Sequence, residues 1–503
     1  MDQHDKNIII GSVSWNFINT ITQTILTFGV GVVLARILSP GDFGLFGLTI
    51  ILLGILNLLF TGSISRFIIQ KENLDKEDIE SSFGISLLLS LLSYLIVWMI
   101  APLAASFFND LILSELIRVY TISIFFISVS SILRGLFIKK MNFKLLFYSD
   151  LISIVFGYSA VGILLAVNNF GVFSLVYATM MKELLSLITL YFFSKSKISF
   201  KIKLSKLKDI FYYSGGIGMS NIFGYTANNA DYVIIGKLLN PNALGLYTRA
   251  FTIMTLPLSK ISMTIFDVIF SVFSNVKNDL EQIKNIYLKS VKLIALLSFP
   301  ILSTIMIGSE YIINGIYGEK WNGAIRVLQI LCIAGFFRVI TNSSGAVSKA
   351  TGKVYEEAWR QLVFAVILIA GALIGIKYGI EGVGVAVVVS SLWFYLSMAH
   401  LTIIIVGITW SDFFKVQIPG ILVFIIITAI NFITVITLNA LFGLEMYLPK
   451  LLILFLISSL ALLVLLKTLP VKLIGEDGRN LISLYLNKLK LLSKKSIEDA
   501  CSN

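Results

Sequence analysis

The chain contains little cysteine, histidine and charge for its length of 503 residues. Its two cysteines and two histidines give no spacing typical of a disulfide framework or a metal site. Charged residues make up only 14% of the chain, against about 25% in soluble proteins. We therefore predict no metal and no resident cofactor, and the low charge argues against a soluble globular fold.

Long hydrophilic loops are also lacking. The longest predicted outer loop, about 308–323, is too small for a soluble catalytic domain. The segment 1–7 is short and polar and runs into the first apolar segment without a cleavage site, so the first helix is expected to be retained. An enzyme whose active site is built on a large loop is therefore not favoured.

Hydrophobic residues, in contrast, make up 57% of the chain and form long runs. A helix that spans a membrane needs about 20 mostly apolar residues. About 14 segments meet this requirement, which predicts an all-α polytopic membrane protein. The segments lie near 11–35, 43–69, 83–108, 113–138, 145–167, 172–193, 210–236, 247–274, 286–307, 325–347, 357–377, 382–406, 417–441 and 448–469.

The basic residues predict the orientation of these helices. Most of the 40 lysines and arginines fall in alternate loops and in the tail, and these loops are cytoplasmic if the N-terminus is cytoplasmic. An even number of spans then places both termini in the cytoplasm. The net charge of +12 is thus explained by membrane topology, since it is spread over short loops and forms no single patch for nucleic acid.

One motif occurs twice. Arg36-Ile37-Leu38-Ser39-Pro40 leads to Gly44, and Lys237-Leu238-Leu239-Asn240-Pro241 leads to Gly245, with the same offset of 201 residues. Each copy lies between two long apolar segments, so the chain is an approximate duplication of a multi-helix unit. We expect the prolines to stop one helix and the glycines to permit a tight entry into the next, which makes the motif a turn and not a binding site.

The repeat and a basic linker divide the chain. Because six spans precede the linker, the second unit enters the membrane with the orientation of the first, and parallel repeats around a central site are common in secondary transporters. The predicted parts are a first six-helix lobe at 1–193, a basic cytoplasmic linker at 194–209, a second six-helix lobe at 210–406, two additional helices at 407–470 and a cytoplasmic amphipathic tail at 471–503.

Basic residues inside the predicted spans are the first candidates for a functional site, since each costs about 2.5–3.5 kcal/mol near the membrane centre. Together they favour an anionic substrate such as a phosphate or diphosphate, because Arg offers a planar fork and Lys a point charge. Pairing with a carboxylate, or snorkelling to the interface, is the alternative for each. The candidates for diphosphate binding are Arg66, Arg134, Lys182, Lys260 and Arg338.

The first helix of each unit is rich in polar side chains. Asn16, Asn19 and Gln23 recur at helical spacing, and Asn221 and Asn228 lie in the seventh span. Such residues are suited to hydrogen-bonding sugar hydroxyls in a hydrated cavity. The alternative is polar contact between helices of one lobe.

Acidic residues inside the spans are fewer. Asp231 and Glu183 are the candidates for binding a coupling Na⁺ or H⁺, although a single carboxylate is a weak signal. Glu183 has a second interpretation, a local pair with Lys182, although adjacent residues on a helix point about 100° apart. Asp150 lies near a span end, where an interfacial role is equally compatible with its position.

The residues around the repeated motif resemble a known family. Segments 34–46 (LARILSPGDFGLF) and 62–70 (GSISRFIIQ) resemble the N-terminal signature of polysaccharide flippases. Segment 231–239 (DYVIIGKLL), followed by Gly245-Leu246-Tyr247, resembles the signature of their second half. The resemblance is to the Wzx-type exporters of the multidrug/oligosaccharidyl-lipid/polysaccharide superfamily, in particular to the colanic-acid and teichuronic-acid exporter group.

This resemblance implies a MATE-like fold, with two bundles of six helices around a central cavity and two additional C-terminal helices. It implies that the substrate is undecaprenyl diphosphate carrying an oligosaccharide repeat unit. It also implies transport by alternating access across a bacterial cytoplasmic membrane, for synthesis of exopolysaccharide or lipopolysaccharide. The diphosphate would meet the basic residues named above, and a polysaccharide polymerase and glycosyltransferases would be the protein partners.

Two other functions remain open from the sequence. A multidrug exporter of the same superfamily would favour acidic residues that bind cationic drugs, whereas the predicted spans hold more basic than acidic residues. A membrane polysaccharide polymerase or ligase would need a sizeable outer loop with acid and base residues. The transporter of lipid-linked oligosaccharides is the favoured prediction.

Overall fold

The structure of the protein, a computed structural model, describes residues 3–60, 62–71, 73–194, 224–225, 228–257, 279–443 and 446–468. The regular secondary structure of these residues is entirely helical. Among them, ten helical stretches are long and apolar enough to cross a membrane, and the longest, Val354–Val406, joins two long helices of 22 and 28 residues. The predicted class of all-α polytopic membrane protein is confirmed.

The described chain divides into two compact units, Met1–Thr248 and Arg249–Asn503. The helices of the first unit are α1 (Gln3–Ile37), α2 (Pro40–Phe60), α3 (Gly62–Gln70), α4 (Lys76–Phe108), α5 (Ile112–Thr121), α6 (Ser123–Lys139), α7 (Phe143–Ile152), a π-helical segment (Ser153–Val161), α8 (Gly162–Val167), α9 (Val172–Ser194), α10 (228–238) and the start of α11 (241–257).

The second unit contains the remainder of α11 and the helices up to the C-terminal pair. These are α12 (Leu280–Ile307), α13 (Ser309–Ile312), a π-helical turn (Ile313–Tyr317), a 3₁₀ turn (Glu319–Trp321), α14 (Ala324–Ala350), α15 (Val354–Gly375), a 3₁₀ turn (Ile376–Tyr378), α16 (Gly379–Val406), α17 (Trp410–Lys415), α18 (Ile418–Leu441) and α19 (Tyr447–Thr468). The basic linker after residue 194 and the tail after residue 468 lie outside the described residues, and the predicted lobe boundaries stay predictions.

Helix α4 shows how the sequence suits a lipid environment. Its buried face carries small polar residues, among them Ser82, Ser86 and Ser90, whereas Leu95 and Met99 are about half exposed or more. This pattern reverses that of a soluble helix, because lipid is as apolar as leucine and small residues allow helices to approach closely. The Ser86 hydroxyl donates to the Ser128 carbonyl of α6, at 3.3 Å.

The cytoplasmic end predicted for the first unit is held by charges at helix ends. Lys71 follows α3 and forms an ion pair of 2.7 Å with the fully buried Asp78 at the start of α4. The Lys139 ammonium, at the end of α6, donates to the carbonyls of Ile68 and Lys71 at the end of α3. A cation at a helix C-terminus satisfies carbonyls that have no partner within the helix.

The two copies of the repeated motif meet each other within the first unit. Pro40 and Pro241 are the first residues of α2 and α11, whereas the prediction was that they end the preceding helix. Ser39 and Asn240 accept hydrogen bonds from the helix N-termini. A Cβ on Gly44 would lie 1.8 Å from the carbonyl oxygen of Pro241, and a Cβ on Gly245 would lie 1.8 Å from that of Pro40. The glycines therefore permit this reciprocal helix contact, which the interpretation as turn residues did not include.

Any side chain at these glycines should disturb the contact. We expect Gly44→Ala or Gly245→Ala to lower the free energy of unfolding by about 2 kcal/mol or more, because the opposing atoms belong to backbone and cannot move aside cheaply. Thermal unfolding of the purified protein in detergent measures the effect. Gly29→Ala in α1 is the matched control, since a Cβ there meets nothing within 4 Å, and equal stability of all three variants would contradict this account.

The last two helices, α18 and α19, pack on α12 in the second unit. A Cβ on Gly420 would lie 2.7 Å from backbone of Ala295, so α18 and α12 touch closely. Asn431 is fully buried, donates to the Thr304 hydroxyl at 3.1 Å and accepts a hydrogen bond from Ser458 at 2.5 Å. One amide thus joins all three helices, and the predicted additional helices belong to this unit.

Candidate functional site

A polar cluster surrounds Asp150 in the first unit. The Arg134 guanidinium of α6 is bidentate on the Asp150 carboxylate of α7, with Nη2 to Oδ1 at 2.5 Å and Nη1 to Oδ2 at 3.1 Å. From α1, Asn19 Nδ2 and Gln23 Nε2 donate to Oδ2 at 2.8 and 2.6 Å. Four donors from two helices therefore converge on one carboxylate, and we call these four residues the Asp150 cluster.

The local sequence explains how α6 and α7 bring Arg134 and Asp150 together. Asn142 caps α7 by accepting a hydrogen bond from Leu145 N, and the chain turns there between the two helices. Arg134 lies eight residues before Asn142 and Asp150 eight residues after it, so they occupy the same level of an antiparallel pair. This symmetry about a short turn is the sequence signal that identifies Asp150 as the partner of Arg134, although sequence reasoning placed Asp150 only near a span end.

The cluster is partly open. The Arg134 side chain is 35% exposed, whereas the Asp150 side chain is 8% exposed. Ser186 of α9 accepts a further bond from Arg134 Nη2 at 3.4 Å. Because a buried charge is tolerated only when it is paired and hydrogen-bonded, the cluster stabilises an ion pair inside the membrane, while part of the Arg134 side chain stays exposed.

A π-helical segment follows the cluster directly. Residues Ser153–Val161 continue α7 with the wider π geometry, which is rare and frequent at functional sites. A Cβ on Gly157 in this segment would lie 2.6 Å from Cα of Lys182, so the glycine allows α9 to approach closely. The close approach at Gly157 thus helps to set the position of Lys182 and Glu183 on α9.

Lys182 and Glu183 form the local pair that sequence reasoning left open. The Lys182 ammonium lies 2.9 Å from Glu183 Oε1, and the two side chains are 34% and 19% exposed. The pair shows that two adjacent residues on α9 reach each other despite their divergent directions. Diphosphate binding by Lys182 and ion coupling by Glu183 stay predictions.

Arg338 in the second unit is in a different environment. Its Nε donates to the Ser391 hydroxyl at 3.3 Å, and its guanidinium carbon lies 5.0 Å from the Phe251 ring centroid and 6.0 Å from that of Phe364. Among the described residues, no carboxylate lies within ion-pair distance of it. Arg338 is therefore a half-buried cation held by aromatic rings, with guanidinium donors available to an anion.

The other predicted site residues are dispersed. Asn16 on α1 and Asn228 on α10 are exposed, and the Asn228 side-chain amide donates to the Gly224 carbonyl at 2.7 Å. Asp231 is buried, and the Tyr247 hydroxyl donates to its Oδ2 at 2.6 Å. Lys260 and Asn221 lie outside the described residues, as does the side chain of Arg66 on α3.

The arrangement does not provide a metal centre within the part of the chain that the structure describes. No group of three or more histidine, cysteine, aspartate or glutamate residues lies close enough there to hold a metal ion. The described polar groups present guanidinium and amide donors, which are suited to binding anions. Arg134, Asn19 and Gln23 were all predicted site residues, and the two amides were expected to bind a glycan. In the structure both amides donate hydrogen bonds to the Asp150 carboxylate.

Solved structures with similar folds confirm the predicted architecture. The lipid II flippase MurJ in an inward closed conformation matches with a TM-score of 0.73 and 15% identity, over 90% of this chain and 98% of MurJ. An inward-facing multidrug resistance MATE family transporter of the MOP superfamily matches with a TM-score of 0.61 and 17% identity, over 79% of this chain and 98% of that one. At these identities the similarity concerns the fold.

Curated relatives and a family model place the sequence more closely. The lipopolysaccharide biosynthesis protein WzxC of Escherichia coli (strain K12) is 21% identical over 73% of this chain and 74% of its own length. The teichuronic acid biosynthesis protein TuaB of Bacillus subtilis (strain 168) is 27% identical over 57% of this chain and 59% of its own length. The model for the family described as "Polysaccharide biosynthesis protein" matches residues 33–326, which is more than half of the chain. The chain therefore belongs to this family of polysaccharide biosynthesis proteins, and it is a multi-pass membrane protein.

Proposed function

We propose that this protein moves oligosaccharide repeat units linked to undecaprenyl diphosphate from the inner to the outer leaflet of a bacterial cytoplasmic membrane, by alternating access. The observation that carries the proposal is Arg338, a half-buried arginine without a carboxylate partner among the described residues. A permanently charged guanidinium inside a membrane protein is expensive unless an anion meets it during function. The diphosphate of a lipid-linked sugar is such an anion, and Arg binds its oxygens in a bidentate manner.

The family supports this substrate class. Its members act in polysaccharide biosynthesis, and among the relatives one is described as a probable low-salt glycan biosynthesis flippase, Agl15 of Haloferax volcanii, at 27% identity over 46% of this chain. Repeat units assembled on a lipid at the cytoplasmic face must cross the membrane before an outer polymerase can join them. Glycosyltransferases and a polymerase are therefore the partners of the proposed pathway step.

Export of cationic drugs is less well supported. A drug exporter needs an acidic group that a cation can reach, but the described intramembrane carboxylates are engaged. Asp150 forms an ion pair with Arg134, and Glu183 forms one with Lys182. Asp231 accepts a hydrogen bond from the Tyr247 hydroxyl. Arg338 would in addition repel a cationic drug in its unit.

Depletion of the protein in its own cell tests the proposed function. We expect production of surface polysaccharide to stop and lipid-linked repeat units to accumulate on the cytoplasmic face of the membrane. In intact cells, an externally added phosphatase or glycosidase does not reach lipids on that face. Re-expression of the wild-type chain should restore polymer. Normal polymer yield during depletion, or accumulation of the lipid on the outer face, would contradict the proposal.

A further inference from the structure

The donors of the Asp150 cluster have the geometry of a site for an external anion. Arg134 offers two parallel N–H groups, and Asn19 and Gln23 offer two amide N–H groups to the same carboxylate oxygen. A bidentate guanidinium binds carboxylate and phosphate oxygens in the same way. The Asp150 carboxylate thus occupies the position that a phosphate oxygen pair would take.

We propose that Asp150 is an internal stand-in for the diphosphate of the substrate, which displaces the carboxylate from Arg134, Asn19 and Gln23 during transport. This inference deepens the proposed function and rests on it. In the state described, the stand-in keeps the donors satisfied and prevents smaller anions from binding there. When the diphosphate arrives, one anion replaces another, so the intramembrane cation is never left without a partner.

Three features make the exchange possible. The Arg134 side chain is 35% exposed, so the ion pair lies at the border of the packed bundle and is not sealed inside it. Both amides come from α1, whereas Asp150 comes from α7, so the donors and the carboxylate can separate by a shift between these helices. The π-helical segment starts at Ser153, three residues after Asp150, and a return of this segment to α-helical geometry would rotate the carboxylate away from Arg134.

A binding measurement tests the exchange directly. The Asp150→Asn variant of the full chain, purified in detergent, should bind inorganic diphosphate about tenfold more tightly than wild type, since no internal carboxylate competes for the guanidinium. Addition of Arg134→Gln to this variant should abolish the gain in affinity for diphosphate. No gain in the single variant, or a gain that persists without Arg134, would overturn the inference.

A matched control separates this effect from the loss of any buried charge. Asp78→Asn also removes a buried carboxylate from an ion pair, that with Lys71. Among the described residues, Asp78 accepts hydrogen bonds from the Lys71 ammonium and from the Asp75 backbone N–H and is not bound by an arginine fork, so this variant should bind diphosphate as wild type does. A gain as large as that of Asp150→Asn would show a general effect of net charge and would overturn the inference.

A measurement on the wild-type protein avoids the risk that a variant fails to fold. Carbodiimide labelling of Asp150, read by mass spectrometry, should rise several-fold when saturating inorganic diphosphate displaces the carboxylate. Labelling of Asp231, which is buried beside Tyr247, should not change. Unchanged labelling of Asp150 would overturn the inference, whether or not the variants fold.

A charge exchange distinguishes the stand-in from a purely structural ion pair. In Arg134→Asp combined with Asp150→Arg, the pair is restored but the guanidinium now lies on α7. A structural role predicts that polymer export recovers, which would overturn the inference, whereas the stand-in predicts a folded protein without export.

The lipid-linked substrate and free diphosphate carry the same diphosphate group, so both fit the donors of this site. A competition experiment distinguishes the two ligands. Lipid-linked oligosaccharide should displace inorganic diphosphate from Asp150→Asn if the lipid is the occupant, and an absence of competition would restrict the site to small anions and overturn the inference.

The proposed function and this inference can fail separately. If Asp150→Asn binds diphosphate more tightly than wild type, as expected, but the wild-type protein moves no lipid-linked oligosaccharide, the proposed function fails and the anion site stands. If the wild-type protein transports the lipid but Asp150→Asn gains no affinity for diphosphate, the inference alone fails.

Discussion

Replacement of Arg338 by alanine is expected to abolish export of surface polysaccharide while the protein remains in the membrane at wild-type level. The side chain is held by Phe251 and Phe364 and by a bond to Ser391, and no described carboxylate pairs with it. Its removal therefore leaves no buried carboxylate unpaired, so the fold should tolerate the change better than the loss of one partner of an ion pair. Under the proposed function, what is lost is the cation that would meet the diphosphate. Polymer yield per cell, normalised to the amount of protein, measures the loss.

Two further variants sharpen this prediction. Arg326 lies on the same helix, α14, but is exposed, so Arg326→Ala should export as wild type does. Arg338→Lys retains the charge but not the bidentate fork, and export should fall by about tenfold without disappearing. Wild-type polymer yield from Arg338→Ala would remove the main support for a cationic substrate site in the second unit.

Loss of Arg134 should have the largest effect on stability. Arg134→Ala leaves the Asp150 carboxylate, 8% exposed, with two amide donors and no cation. Breaking a buried pair by removal of one partner costs about 3–5 kcal/mol, and partial exposure of Arg134 places the expected loss in the free energy of unfolding at about 3 kcal/mol. Thermal unfolding in detergent gives the result.

The double variant Arg134→Ala with Asp150→Asn tests whether the unpaired Asp150 carboxylate causes the loss of stability. Because no charge then remains buried, the double variant should recover most of the lost stability. Lys76→Ala should have little effect, since Lys76 is 86% exposed and its pair with Glu80 is 3.7 Å long. A double variant as unstable as Arg134→Ala would show that lost packing, and not the unpaired carboxylate, causes the destabilisation.

Much of the fold can be predicted from the sequence because the signals are local. Apolar runs define spans such as α18 and α19, and Ser39-Pro40 and Asn240-Pro241 mark helix starts by capping and by a fixed φ. The predicted fold class is confirmed for this reason. The π-helical segment at Ser153–Val161 could not be predicted, because its sequence carries no local signal for π geometry and its packing against α9 at Gly157 is a tertiary contact.

The candidate site was only partly predictable. The cost of charge in a membrane identifies Arg134 and Arg338, but it does not say which partner each one has. The bond from Asn19 to Asp150 joins residues 131 positions apart, and such a contact depends on how α1 packs against α7. Only the equal distance of Arg134 and Asp150 from Asn142 could have suggested the pairing from sequence.

Translocation by the purified protein tests the central claim most directly. The full chain is placed in vesicles that carry a fluorescent oligosaccharide linked to undecaprenyl diphosphate, and arrival at the opposite leaflet is read by quenching from that side. The account predicts transport by wild type and Arg326→Ala, and no transport above the background of empty vesicles for Arg338→Ala, since the proposed charge-assisted bonds from the guanidinium to the diphosphate are lost. Absence of transport by wild type, or an equal rate for Arg338→Ala, would contradict it.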